Sequence, residues 1–117
     1  MGIFSYLLAG HLVGDYLLQT NWMAVNKRTN WLALIVHSAV YTICITLALF
    51  IGSGDFPIAA ILLVFVSHIF LDRHRFVAWW AKSIMSVDEK KAGWLLIMVD
   101  QTFHILLLAV VGHFWFT

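Results

Sequence analysis

Residues 31–51 read WLALIVHSAVYTICITLALFI, an apolar run with no Asp, Glu, Lys or Arg, interrupted by His37 and a few hydroxyls. At about 1.5 Å of rise per residue such a run crosses a hydrocarbon layer about 30 Å thick as one helix. Three further runs of similar length flank it, at about residues 2–24, 57–80 and 92–116. In lipid every backbone polar group must be satisfied within the segment, so runs of this length are read as helices. The ten-residue alternation of a β-barrel is absent. The predicted fold class is an all-α integral membrane protein, a four-transmembrane-helix bundle forming one domain over residues 1–117.

Composition agrees. Of 117 residues, 62% are hydrophobic and only 11% charged, against roughly a quarter charged in soluble domains. Mean hydropathy is +0.91. A soluble monomer would leave large contiguous apolar patches in water, and disorder requires the opposite composition. A net charge of +1 excludes a nucleic-acid binder, which needs a basic surface. The single cysteine, Cys44, forms no disulfide framework and no Cys-rich metal site.

Orientation follows from the basic residues. Lys27 and Arg28 lie in the first connection, and Arg73, Arg75, Lys82, Lys90 and Lys91 around the third; the second connection has none. The positive-inside rule then puts the first and third connections in the cytoplasm and both termini on the non-cytoplasmic side. The first span has no basic leader and carries His11 and Asp15 inside it, so it is read as a retained helix rather than a cleaved signal. The expected location is the bacterial inner (plasma) membrane, multi-pass, with membrane lipids as partners. A homo-oligomer or a larger membrane complex stays open.

Within the spans, polar residues recur at a spacing of four: His11 and Asp15, His68 and Asp72, Asp100 and His104. Four residues are slightly more than one turn, so each pair shares a helix face. His37 adds a fourth imidazole, with Tyr41 one turn on. Counted from the cytoplasmic end of each span, these groups fall in one slab about 6 to 16 Å deep. Spans one and three run inward and span four outward, so in every pair the Asp lies on the cytoplasmic side of its His. A charge at such depth costs about 2.5–3.5 kcal/mol or more, and the partners must come from the bundle or from a bound cation. Imidazole and carboxylate together suit Zn, Mn or Fe. The expected metal ligands are His11, Asp15, His68, Asp72, Asp100 and His104, with Asp15, His37 and Asp72 as candidate catalytic groups. Tyr16, Gln19, Tyr41 and Gln101 are placed to donate hydrogen bonds to them. His74 and His113 lie off the stripe and read as interfacial, and Asp88, Glu89, Lys90 and Lys91 as a solvated loop.

The run HxxxDYLLQ from His11 to Gln19, Lys27, the lone His37, HxxxDxxR from His68 to Arg75 and DQxxH from Asp100 to His104 resemble the bacterial membrane family DUF3307. The resemblance spans nearly the whole chain. It implies a small polytopic membrane protein whose polar positions match His11, Asp15, His37, His68, Asp72, Asp100 and His104, and it brings no established reaction. Arg75 stands where the family carries lysine.

The reading that joins these features is a membrane-embedded, metal-dependent hydrolase. A divalent ion would lower the pKa of water for attack on a lipid or amphiphile entering from the cytoplasmic leaflet. Lys27, Arg28, Arg73 and Arg75 would hold the substrate head group. No nucleophile motif such as GxSxG or HExxH is present. Two alternatives come from other classes: a proton or divalent-cation transporter, and a small structural or cofactor-binding subunit of a larger membrane complex.

Overall fold

The computed structural model describes residues 2–116, and every regular element in it is helical. Helix α1 spans Ile3–Leu12 and runs into a π-helical turn at Val13–Leu17; α2 spans Asn21–Asn26, α3 Trp31–Ser53, α4 Ile58–Asp72, α5 Arg75–Ser83 and α6 Gly93–Phe116. Local chemistry sets the boundaries. The Asn30 side chain accepts from the Leu32 and Ala33 amides and opens α3, satisfying two donors with no partner inside the helix. Gly54 closes it in the left-handed conformation, φ 75°, donating its N–H to the Phe50 carbonyl. Pro57, with φ −63°, stands immediately before α4.

Two helices, α3 and α6, are long and apolar enough to cross a membrane. Their outer faces carry Leu32, Ile35, Ile43, Leu47, Ile51, Ile97, Leu106 and Val110, all exposed.

The expected first and third spans are not continuous helices. The first breaks at residues 18–20 after the π-helical turn, and α2 restarts beyond Thr20, whose hydroxyl accepts from the Met23 amide. The third ends at Asp72. His74 then takes a left-handed backbone, φ 74°, and the chain re-enters as the short helix α5. α4 alone has 15 residues, about 22 Å of helix. His74, expected at the interface, is 9% exposed. Burial holds its imidazole below the usual pKa, and the nearby Arg28 guanidinium pushes the same way.

The helices α1, α3, α4 and α6 pack in a closed ring, each against two neighbours, with α2 on α3 and α5 against α4 and α6. Leu7, Tyr41, Ile45, Leu49, Ala60, Val64, Leu108 and Val111 fill one half of the ring. The other half is polar. Beyond it lies a basic end where Lys27 meets Asp72 at 3.0 Å, Arg28 meets Glu89 at 3.7 Å and the Arg73 guanidinium covers the Trp31 ring at 4.2 Å.

Two glycines set how closely α1 meets α3. A Cβ on Gly10 would lie 2.9 Å from the Ala48 Cβ, and one on Gly14 would lie 3.0 Å from Tyr41 Cδ2 and 3.2 Å from its Cα. This small-xxx-small contact lets the backbones touch. His11 and Asp15 each follow one of these glycines, so the contact carries both into the ring.

Candidate metal centre

Four elements deliver the polar groups: α1 with its π-helical turn brings His11 and Asp15, α3 brings His37 and Tyr41, α4 brings His68 and Asp72, and α6 brings Asp100, Gln101 and His104. The π-helical turn closes through the Leu18 N–H on the Val13 carbonyl, five residues back. Such wide turns are frequent at functional sites, and here the bulge carries Asp15. His11, Asp15, His37, His68, Asp72 and His104 are all at most 3% exposed.

Asp72 is the hub. Its Oδ2 lies 2.9 Å from His37 Nε2, 3.0 Å from His68 Nε2 and 3.0 Å from Lys27 Nζ, and its Oδ1 lies 3.0 Å from His104 Nε2. Asp15 Oδ1 is 3.0 Å from His37 Nε2 and 3.6 Å from His68 Nε2. Asp15, His37, His68 and Asp72 thus form a closed group of four, and Asp72, Asp100 and His104 a second group of three; either could hold a metal ion.

Alignment separates these contacts from ordinary ion pairs. His37 Nε2 bonds Asp15 Oδ1 in good geometry, and Lys27 donates to Asp72 Oδ2. In contrast, both nitrogens of His68, Nε2 of His104 and Oδ1 of Asp72 are buried with no aligned hydrogen-bond partner among the described residues. His104 donates its Nδ1–H to the Asp100 carbonyl at 2.7 Å, so in the neutral ring the Nε2 lone pair faces Asp72 Oδ1. Two lone-pair atoms 3.0 Å apart repel unless a proton or a metal cation joins them. Donors about 2.0–2.2 Å from a metal ion sit about 2.8–3.6 Å from each other, the short end for right-angle and the long end for tetrahedral ligands. The separations around Asp72 and Asp15 fall in or just beyond that range.

His11, expected among the ligands, has both ring nitrogens engaged elsewhere. Tyr41 donates its hydroxyl to His11 Nδ1 at 2.8 Å, and His11 Nε2–H donates to Gln101 Oε1 at 2.7 Å. The Gln101 amide then donates to Asp15 Oδ2 and Asp100 Oδ2, each at 3.3 Å. His11 therefore stands beside both groups and orients Asp15 and Asp100 through Gln101. Tyr41 adds its ring, stacked on His68 at 3.8 Å between centroids. His37, expected as a catalytic group, lies within the group of four. Of the head-group candidates, Lys27 reaches inward to Asp72, Arg28 and Arg73 are engaged at the basic end, and Arg75 is exposed.

Sequence reasoning did not use Gly10 and Gly14, although the GxxxG spacing interleaved with HxxxD was there to find. Lys27, expected in the first connection as a group that holds a substrate head group, also reaches the buried Asp72 carboxylate.

No curated protein and no solved structure matches this chain. A protein-family model does, over residues 3–117, and its coverage includes every residue of both groups. By that match the chain belongs to DUF3307, a family described as of unknown function.

Proposed function

We propose that this protein is a membrane-embedded, metal-dependent hydrolase acting on a lipid or amphiphile, with its basic end in the cytoplasm of a bacterial cell and its helical ring in the inner membrane. The observation that carries the reading is the convergence of His37, His68 and His104 on Asp72, with buried nitrogens and a carboxylate oxygen that no hydrogen bond satisfies. An imidazole–carboxylate donor set suits Zn, Mn or Fe. Bound there, the ion supplies Lewis acidity and lowers the pKa of water toward neutrality.

The chain's own groups do the rest. Asp15, His37, His68 and Asp72 hold the ion, so Asp15, His37 and Asp72 serve as ligands before anything else. Asp100 is the most accessible of the three cluster carboxylates, its side chain 15% exposed, and with a single ion in the group of four it is the group placed to accept a proton. Gln101 fixes its orientation. Lys27, 14% exposed, and the exposed Arg75 would supply positive charge at the basic end for an anionic head group.

Elemental analysis of detergent-purified protein beside a His68→Ala, Asp100→Ala double variant tests the metal. The expected result is bound metal in the parent chain and little in the variant; negligible metal in both overturns the reading. Lipid cleavage in liposomes that stops on chelation tests the reaction. Proton or divalent-ion flux without cleavage would assign the centre to transport instead.

A further inference from the structure

The two groups share one residue, and they share it through opposite oxygens. Asp72 Oδ2 faces His37 and His68 at 2.9 and 3.0 Å, and Oδ1 faces His104 at 3.0 Å. Asp15 completes the first group and Asp100 the second. A carboxylate whose two oxygens serve separate donor sets can bridge a pair of metal ions, which in two-metal hydrolytic sites lie about 3.5–4 Å apart. The second group has its own unsatisfied atoms, His104 Nε2 and Asp72 Oδ1, both buried without an aligned hydrogen-bond partner. A cation held only in the first group would leave both as they are.

Charge points to the ligand. Asp15, Asp72 and Asp100 bring three negative charges, and Lys27 brings one positive charge to the same oxygen of Asp72. With neutral imidazoles the cluster, with Lys27, carries two net negative charges. One divalent cation neutralises it; a second leaves it two charges positive, in a setting where unbalanced charge is costly. A dianionic phosphate group restores the balance. We propose that this protein forms a binuclear centre bridged by Asp72, that the second cation binds at Asp72, Asp100 and His104, and that the loaded pair takes a phosphate-type dianion, making a phosphoester the substrate class. The inference rests on the metal-dependent reading above and adds to it the stoichiometry and the chemical class of ligand.

The test uses Mn2+ and inorganic phosphate with the full chain in detergent micelles, followed by metal titration and low-temperature electron paramagnetic resonance. Expected are two Mn2+ per chain at saturation with an exchange-coupled spectrum, and binding of the second tightened about tenfold or more by phosphate, a typical coupling between sites. Asp100→Asn should lose the second equivalent and the coupling while keeping the first. The wild-type spectrum decides the matter even where that variant fails to fold. One uncoupled Mn2+ at saturation overturns the binuclear centre and leaves the mononuclear reading standing, whereas no bound Mn2+ overturns both. Two ions retained by Asp100→Asn overturn the placement of the second site, and a second affinity indifferent to phosphate overturns the assigned ligand class.

Discussion

The ring formed by α1, α3, α4 and α6 has two interiors of different character. In the apolar half, Leu7, Ile45, Leu49, Val64, Leu108 and Val111 pack without directional constraint, held by the sum of many small van der Waals contacts. In the polar half, Asp15 and Asp72 meet His37, His68 and His104 at about 3 Å through specific atoms. The first kind of interior degrades gradually when trimmed. The second fails by steps, since removing one member strands the others. The difference teaches where stability and function separate in this chain.

Asp72→Asn should break the polar half most severely. Removing one partner of a buried charge network costs about 3–5 kcal/mol, and metal content should fall to background by elemental analysis. Leu108→Ala in the apolar half should cost a similar 2–5 kcal/mol, roughly the usual range for a buried leucine, with metal content unchanged. Equal metal loss in both would erase the distinction.

Glycine substitutions sharpen it. Gly14→Val drives side-chain atoms into Tyr41, where even a Cβ would be 3.0 Å from Cδ2, and overpacking of this kind costs about 1–3 kcal/mol. Because Asp15 follows Gly14, metal affinity should drop with stability. Gly112 is the counterexample: a Cβ there meets Ile3 and Leu7 at 3.6 Å, ordinary contact. Gly112→Ala should therefore stabilise α6 by about 0.5–1 kcal/mol, read as a raised melting temperature in detergent with metal binding intact.

Tyr41→Phe separates support from ligation. It leaves His11 Nδ1 without its donor at a cost of about 1–3 kcal/mol, while the metal remains, because Tyr41 belongs to neither ligand group. Loss of metal in this variant would make the hydroxyl a ligand.

The smallest effect lies outside the ring, at His74. Its pKa is lowered by burial and then by Arg28, so the folded chain holds it neutral where the unfolded chain takes up a proton. Folding stability is unaffected by this group above about pH 6.5 and falls as pH drops through the interval between the unfolded and lowered folded values. His74→Gln should lose that share of the acid sensitivity, measured as the difference between wild-type and variant melting curves at pH 5 and pH 7.5.

Periodicity made much of the site legible. The His11–Asp15, His68–Asp72 and Asp100–His104 spacings put each pair on one face, and the structure brings all of these residues except His11 into the two His/Asp groups. Spacing along one helix says nothing about which neighbour a side chain turns toward. That is why His11 could not be seen to engage Tyr41 and Gln101, nor His37 to join the group of four. The all-helical class followed from apolar run length. The breaks after Leu17 and at His74 did not, because an apolar run reads the same whether its backbone continues or bends, and a histidine in left-handed conformation leaves no mark on composition. The contact of Lys27 with Asp72 left no signal for a related reason: a long stem lets a loop residue place its ammonium on a buried carboxylate.

The order in which the elements leave the ribosome bears on biogenesis. Asp15, His37, His68 and Asp72 all precede residue 73, so the quartet of donors is complete once α4 has been made, while Gln101 and His104 arrive only with the last helix. A cation bound early would thus staple α1, α3 and α4 together, and the final helix would dock onto a charge already half compensated.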